Sequence, residues 1–128
     1  MIAVDSSAVI AILRDETPGA ALLQRLGAAG GGVISTATVL ELQLVLADDK
    51  ALEWNKVERL FVLYRVAVRP FDDLQLTIAR EAALRFGRGR HPARLNFGDC
   101  FAYALAKSEG IPLLYVGGDF AKTDIEAA

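Results

Sequence analysis

Each of four acidic residues stands directly after a short apolar stretch or near the start of a predicted helix: Asp5, Glu41, Asp99 and Asp119. Carboxylate oxygens suit Mg²⁺ and Mn²⁺, whereas zinc and copper favour nitrogen and sulfur ligands. Four like charges at one place repel each other unless cations hold them together. If the fold gathers these acids, they predict a catalytic site that holds one or two Mg²⁺ or Mn²⁺ ions.

Each acid also has a purely structural interpretation. Asp5 and Asp99 stand where helices begin, and an acidic side chain there caps free backbone amides or complements the helix dipole. Asp119 follows two glycines, where aspartate is an ordinary turn residue. Glu41 would form a capping box with Thr38 if its helix began later than predicted. A functional role is favoured for Glu41, because its helical neighbours are apolar and an unpaired carboxylate facing a core is costly.

A basic loop precedes Asp99 and carries five residues that are positively charged or can become so: Arg85, Arg88, Arg90, His91 and Arg94. Arg88 and Arg90, together with Asn96, are candidate substrate-binding residues, since guanidinium groups bind phosphate. A loop that is merely solvated is an equal alternative. His91 has no second histidine or cysteine nearby and is not expected to be a ligand or a base. Ser6 and Ser7 are expected to cap a helix rather than to act as nucleophiles.

The elements that must position these residues alternate between strand and helix. Strands are predicted at residues 2–4, 33–35, 66–69 and 113–116, each short and apolar. Helices are predicted after Asp5, from Pro18 with Thr17 as the cap, at 36–47, at 50–64, from the cap Asp72 to residue 86, and from the cap Asn96 to residue 109. This order predicts an α/β fold in three layers, with a central parallel sheet of four or five strands and helices on both faces.

Composition limits the class of protein. The chain has 128 residues, 53% of them hydrophobic, which is enough for one domain with its own core. Cys100 is the only cysteine, which excludes an intrachain disulfide and fits a reducing compartment. No apolar stretch has the length of a membrane span, so a cytoplasmic protein is expected. The net charge of −2 is unusual for a protein that binds nucleic acid, but bound divalent cations would reverse the local field.

Four segments together resemble a known family: "IAVDSSAVIAIL", "STATVLE", "GRGRHPARLNFGDCFAYALAK" and "PLLYVGGDFAKTDI". The chain resembles, over essentially its whole length, a PIN-domain protein, specifically a VapC-type toxin of a bacterial toxin-antitoxin pair. The resemblance implies a single PIN-like nuclease domain over residues 1–128, a carboxylate site for Mg²⁺ or Mn²⁺, endonuclease action on RNA and inhibition by a cognate antitoxin.

By position, Asp5, Glu41 and Asp99 match the three principal acids of that family. Asp119 stands where the last site acid is expected, but "VGGDF" departs from the commoner threonine-containing version, and Asp124 is a nearby substitute. The resemblance therefore leaves the fourth acid open between Asp119 and Asp124.

The function expected from these features is metal-dependent hydrolysis of phosphodiester bonds in structured RNA, such as transfer or ribosomal RNA. Two alternatives stay open: a DNA-directed or flap nuclease with the same acids, and a binding module without catalysis. The antitoxin is expected to dock on exposed apolar side chains such as Trp54 or Phe61. Whether the chain forms a homodimer also stays open.

Overall fold

The computed structural model describes residues 1–128 and contains a four-stranded sheet with the order β3-β2-β1-β4, in which every neighbouring pair is parallel. The strands are β1 (Ile2–Val4), β2 (Gly32–Ser35), β3 (Val66–Arg69) and β4 (Leu113–Leu114). The helices are α1 (Ser6–Leu13), α2 (Gly19–Ala28), α3 (Thr36–Ala47), α4 (Trp54–Leu63), α5 (Asp73–Phe86) and α6 (Phe97–Glu109), followed by one 3₁₀ turn (Phe120–Lys122). The predicted α/β class with a parallel sheet is confirmed.

The core lies on both faces of the sheet. Successive residues of a strand point to opposite faces, so Val4 packs with α1, α2 and α4, whereas its neighbour Ala3 packs with α5 and α6. Val33 and Ile34 of β2 divide between the two faces in the same way. Burial on both faces explains why the inner strands β1 and β2 read as continuous apolar runs rather than as alternating patterns.

Two predicted helix starts are wrong. The helix expected from residue 50 begins at Trp54, because Asp49 closes a turn in which its side chain accepts the Ala51 N–H at 3.1 Å. The helix expected to open at Pro18 begins at Gly19, and no side chain caps it, so Thr17 is not the cap.

The last strand is shorter than the predicted span of 113–116. Only Leu113 and Leu114 pair with β1. The backbone N–H of Val116 instead donates to the hydroxyl of Ser7 at 3.0 Å. This bond ties the segment after β4 to the start of α1, and so brings two distant parts of the chain to one edge of the sheet.

The strand order reverses between β1 and β4. From β1 the chain passes to β2 on one side, and β4 later pairs on the other side. In open parallel sheets, ligands bind beyond the carboxyl ends of the strands at such a reversal. Asp5 follows β1 at this place. No helix of the structure combines the length and the apolar character that crossing a membrane requires.

Candidate functional site

Asp5 ends β1 and caps α1 with one of its two carboxylate oxygens. Its Oδ2 accepts the Ser7 N–H at 3.1 Å and the Ser7 hydroxyl at 2.6 Å. Its Oδ1 is buried without any hydrogen-bond partner. Burial raises the pKa of Asp5 to about 6, and the charge of Glu41 adds to this effect, while the bonds from Ser7 act against it. The capping interpretation is therefore correct for one oxygen and leaves the other free for a cation.

Ser7 holds Asp5 in this orientation. Its hydroxyl donates to Asp5 and accepts the N–H of Val116. The cap of α1 is Asp5, so the expectation that Ser6 and Ser7 cap this helix is wrong. These two bonds give the Ser7 hydroxyl a structural role at the start of α1.

Glu41 lies in α3, which begins at Thr36 and is capped by Ser35. That start excludes the capping box with Thr38. The apolar neighbours of Glu41 do not bury it as expected, because Leu44 is 64% exposed. Its Oε1 is nevertheless buried without a partner, because the carboxylate packs against Gly98 in the first turn of α6. A helix N-terminus is a favourable place for negative charge.

Asp99 lies one residue further along this turn. Its Oδ2 accepts the Asn96 N–H at 3.0 Å, and Asn96 Oδ1 accepts the Asp99 N–H at 2.9 Å, which completes a capping box. Burial raises the pKa of Asp99 to about 7, and the neighbouring charges of Asp5 and Asp119 contribute in the same direction. Asp99 is thus part of the capping box of α6 and is also coupled electrostatically to Asp5 and Asp119.

The structure separates the two candidates for the fourth acid. Asp119 lies near enough to Asp99 for its charge to raise the pKa of that carboxyl. Asp124 lies elsewhere, where it accepts the Tyr103 hydroxyl at 2.6 Å and pairs with Lys107 at 2.9 Å and with Arg85 at 3.5 Å. Burial alone would raise the pKa of Asp124, but the bonds from Tyr103 and Lys107 outweigh it and lower the pKa. Asp124 is therefore committed to a structural network.

The donor set fits a hard divalent cation. Asp5 and Glu41 each present a buried oxygen that lacks a partner. The charge of Glu41 acts on Asp5, and the charges of Asp5 and Asp119 act on Asp99, so the four acids form one electrostatically coupled group. No three acidic, histidine or cysteine side chains are close enough together to form a complete ligand set. Mg²⁺ does not need such a set, because it keeps several waters and takes only one or two protein carboxylates.

Comparisons with known proteins identify the family of this chain. Residues 2–126 match the PIN domain family. A VapC ribonuclease of Mycobacterium bovis is 42% identical over 127 residues, which cover 98% of this chain and 96% of the relative. Ribonuclease VapC of Mycolicibacterium smegmatis is 44% identical over 129 residues, which cover 97% of each chain. The chain belongs to the VapC-type PIN-domain family.

A solved structure supports the fold of this VapC-type protein. VapC20 of Mycobacterium tuberculosis, described as a toxin that cleaves the sarcin-ricin loop, has a TM-score of 0.69 and 19% identity, and the match covers 100% of this chain and 98% of that one. The resemblance inferred from the sequence segments is confirmed, and the chain is a ribonuclease of the toxin type.

The basic loop of this VapC-type chain lies beside the acids without pairing with them. Arg88 and Arg90 line a cavity that also includes Asn96. Arg85 instead pairs with Asp124 and is thereby removed from the site. His91 has a structural role, because its Nδ1 accepts the Ala93 N–H at 3.0 Å and its ring packs edge-to-face on Phe86.

Two residues that shape the site were missed by sequence reasoning: Ser7 as the support of Asp5, and Gly98 as the residue that admits Glu41. A glycine in the first turn of an otherwise regular helix costs up to about 1 kcal/mol relative to alanine, which was a usable signal for Gly98. No local signal pointed to the bond between Ser7 and Val116, which are 109 positions apart.

Proposed function

We propose that this VapC-type protein is a Mg²⁺- or Mn²⁺-dependent endoribonuclease in which Asp5, Glu41, Asp99 and Asp119 form the catalytic metal site. The observation that carries the proposal is the pair of buried carboxylate oxygens without partners, on Asp5 and Glu41, beside Asp99 with its raised pKa. Buried polar atoms are rarely left unsatisfied in folded proteins, and a bound cation is a partner that would satisfy them.

The chain's own residues orient the ligands rather than attack the substrate. Ser7 fixes the carboxylate of Asp5, and Asn96 fixes that of Asp99. When bound, a divalent cation supplies an activated water and stabilises the leaving oxygen. No covalent intermediate on a side chain is expected, because no histidine or lysine base bonds to the Ser7 hydroxyl and His91 Nδ1 accepts the Ala93 N–H. The products should carry a 5′-phosphate and a 3′-hydroxyl.

The substrate proposed is a structured RNA with unstacked nucleotides, such as a loop of transfer or ribosomal RNA. Sequence-specific proteins read RNA mainly in loops and bulges, where bases are accessible. Arg88 and Arg90 are proposed to bind the RNA backbone, and Asn96 to contribute at the same edge. The solved relative described as cleaving the sarcin-ricin loop makes that stem-loop a sensible first substrate.

Cleavage of such an RNA should require Mg²⁺ or Mn²⁺ and should stop when EDTA is added. The measurement is the rate of appearance of cut fragments on a denaturing gel, with an RNA stem-loop and the DNA of the same sequence side by side. Undiminished cutting in excess EDTA would contradict the metal mechanism. Preferential cutting of the DNA would favour the alternative of a DNA-directed nuclease.

A cognate antitoxin is proposed as the protein partner. Trp54 and Phe61, expected from sequence as its docking residues, are instead half-buried against the core. The exposed large apolar residues of α3 and α4 are Leu40, Leu44, Val62 and Leu63. Repeating the cleavage assay after co-expression with the adjacent reading frame tests the pairing, since inhibition and a stable complex should appear together. Light scattering on the same samples reports whether the chain forms a homodimer.

The fourth acid is proposed to be Asp119, and two matched variants test this. Asp119→Asn should lower cleavage at least about tenfold, which corresponds to the loss of about 1.4 kcal/mol of transition-state stabilisation. Asp124→Asn should retain cleavage within about threefold, but should lower the free energy of unfolding by about 1 kcal/mol because it weakens the bond to Tyr103. Cleavage rates and thermal melts of both variants decide which aspartate is the fourth acid. The reverse ranking of activities would assign that role to Asp124.

A further inference from the structure

A large cavity adjoins the acids but contains none of them. It has a volume of about 790 Å³ and lies between α5, the basic loop and the first turns of α6. Six side chains give it its character, three aromatic and three basic: Phe71, Phe97, Phe101, Arg80, Arg88 and Arg90. Asn96, whose N–H donates to Asp99, is also part of its wall. The cavity is therefore continuous with the edge of the catalytic site.

The aromatic side chains form a connected group with one exposed ring. Phe101 makes edge-to-face contacts with Phe71 and with Phe97, at centroid distances of 4.8 and 4.9 Å. Phe97 is 83% exposed, the largest fraction among the exposed large apolar residues of the chain. These contacts hold the Phe97 ring while leaving most of its surface free to stack against a planar ligand.

The arginines of the cavity make no ion pair within the chain. Arg80, Arg88 and Arg90 are exposed and make no ion pair, whereas Arg85 and Arg69 both pair with acids. An occupant that brings negative charge is thus favoured over an apolar peptide, which would leave the three guanidinium groups unpaired.

The loop that carries Arg88 and Arg90 is fixed by its own hydrogen bonds. Leu95 N–H donates to the carbonyl of Phe86 at 2.9 Å, and His91 N–H donates to the carbonyl of Gly87 at 3.1 Å. The backbone that carries the two arginines is therefore ordered before a ligand arrives, which reduces the entropy lost on binding.

We propose that this cavity binds one unstacked nucleobase next to the scissile phosphate, with the base on Phe97 and the flanking phosphates on Arg88 and Arg90. The inference rests on the proposed function, because it assumes an RNA substrate at the adjoining acids. Aromatic faces beside guanidinium groups are the combination by which proteins bind single-stranded nucleic acid. Arg80 lies on the wall formed by α5 and adds to the positive field.

The test of the base contact uses a labelled six-nucleotide single-stranded RNA in EDTA, with binding followed by fluorescence anisotropy. Phe97→Ala should weaken binding about tenfold, within the range found for loss of one base-aromatic stack. Leu84→Ala is the control, because Leu84 is 69% exposed on α5 and does not line the cavity. Its affinity should equal that of the parent.

Abasic RNAs identify the base itself. An abasic ribose placed at one position of the six should weaken binding to the parent about tenfold, but should change binding to Phe97→Ala less than twofold, because the two substitutions remove the same contact. If no abasic position distinguishes the parent from Phe97→Ala, or if Phe97→Ala binds as tightly as the parent, the proposal is overturned. It is equally overturned if Phe97→Ala turns a dimer into a monomer and no abasic effect is seen, since Phe97 then contacts a second copy.

The arginines are tested by salt dependence. Arg88→Ala should reduce the slope of log Kd against log salt by about 0.7, the contribution of one phosphate contact in a single strand. Arg59→Ala, on α4 and also exposed without an acidic partner, should leave that slope unchanged. An equal slope in Arg88→Ala and the parent would remove the phosphate contact from the proposal. If the abasic pattern holds and Mg²⁺ still produces no cleavage, the proposed function fails while the base-binding cavity stands.

Discussion

Replacing Gly98 with alanine should lower RNA cleavage about a hundredfold while leaving the fold as stable as the parent or slightly more stable. A methyl group at this position would lie 2.7 Å from Cδ of Glu41 and closer still to Oε2, whereas real Cβ contacts essentially never fall under 3.0 Å. The Glu41 side chain must therefore rotate away from the site. Misplacement of a catalytic group by about 1 Å is enough to cost a hundredfold in rate.

Stability should not follow activity, because the group displaced is the end of a flexible side chain. Alanine also stabilises a helix by up to about 1 kcal/mol relative to glycine. Gly27→Ala is the matched control, since Gly27 is also helical and a methyl group there would meet only the Tyr64 ring, at 3.9 Å. Cleavage rates and thermal melts of both variants are compared. Full activity in Gly98→Ala would show that Glu41 does not need its present position.

The positions of Asp5 and Asp99 in the fold were accessible to sequence reasoning because their signal is local. Asp5 directly follows an apolar strand, and parallel strands bring their carboxyl ends to one edge of the sheet whatever the details of packing. The capping pair of Asn96 and Asp99 is likewise separated by only three positions. Such short-range patterns depend on neighbouring residues only, so they can be recognised without knowing how distant segments pack.

What sequence reasoning missed depends on contacts between distant segments. The burial of Glu41 comes from α6 rather than from the apolar stripe of its own helix, where Leu44 is exposed. Strand β4 ends early because the Val116 N–H donates to the Ser7 hydroxyl instead of to a neighbouring strand. Periodicity describes one element at a time, so it singled out Glu41 for a reason that the structure does not support.

The assignment of the basic loop shows the same limit. Sequence reasoning placed five side chains in one basic loop, yet the structure gives them different surroundings. Arg85 pairs with Asp124, His91 packs on Phe86, and Arg88 and Arg90 line the cavity. Only the bonds that fold the loop decide which charges face the site.

In EDTA at pH 8, Asp99→Asn should melt higher than the parent although it is inactive. The pKa of Asp99 is about 7 in the folded chain against 3.8 for the unperturbed group, so the folded state binds the extra proton between about pH 4 and pH 7. Stability of the metal-free parent therefore falls as the pH rises through that window and stays low above it. The amide that replaces the carboxylate in the variant carries no charge to be repelled by Asp5 and Asp119.

The expected gain is about 1 kcal/mol, the scale of one pKa unit, because Asp99 is only partly buried and solvent screens the repulsion. In a chain of this size, that corresponds to a rise in Tm of roughly 3–6 °C. At pH 5 the Asp99 carboxyl of the parent is already protonated, so the two melting temperatures should converge. Mg²⁺ should raise the Tm of the parent by mass action and should raise that of the variant much less.

Asp72→Asn separates this effect from helix capping. Asp72 caps α5, where its side chain accepts the Gln75 N–H at 2.9 Å, and it is not one of the site acids. Asparagine caps about as well as aspartate but lacks the charge that complements a helix N-terminus, so Asp72→Asn should melt at or slightly below the parent, with an unchanged response to Mg²⁺. If Asp99→Asn behaves in the same way at pH 8, and the parent is indifferent to Mg²⁺, then Asp99 is a cap and the metal must be held elsewhere.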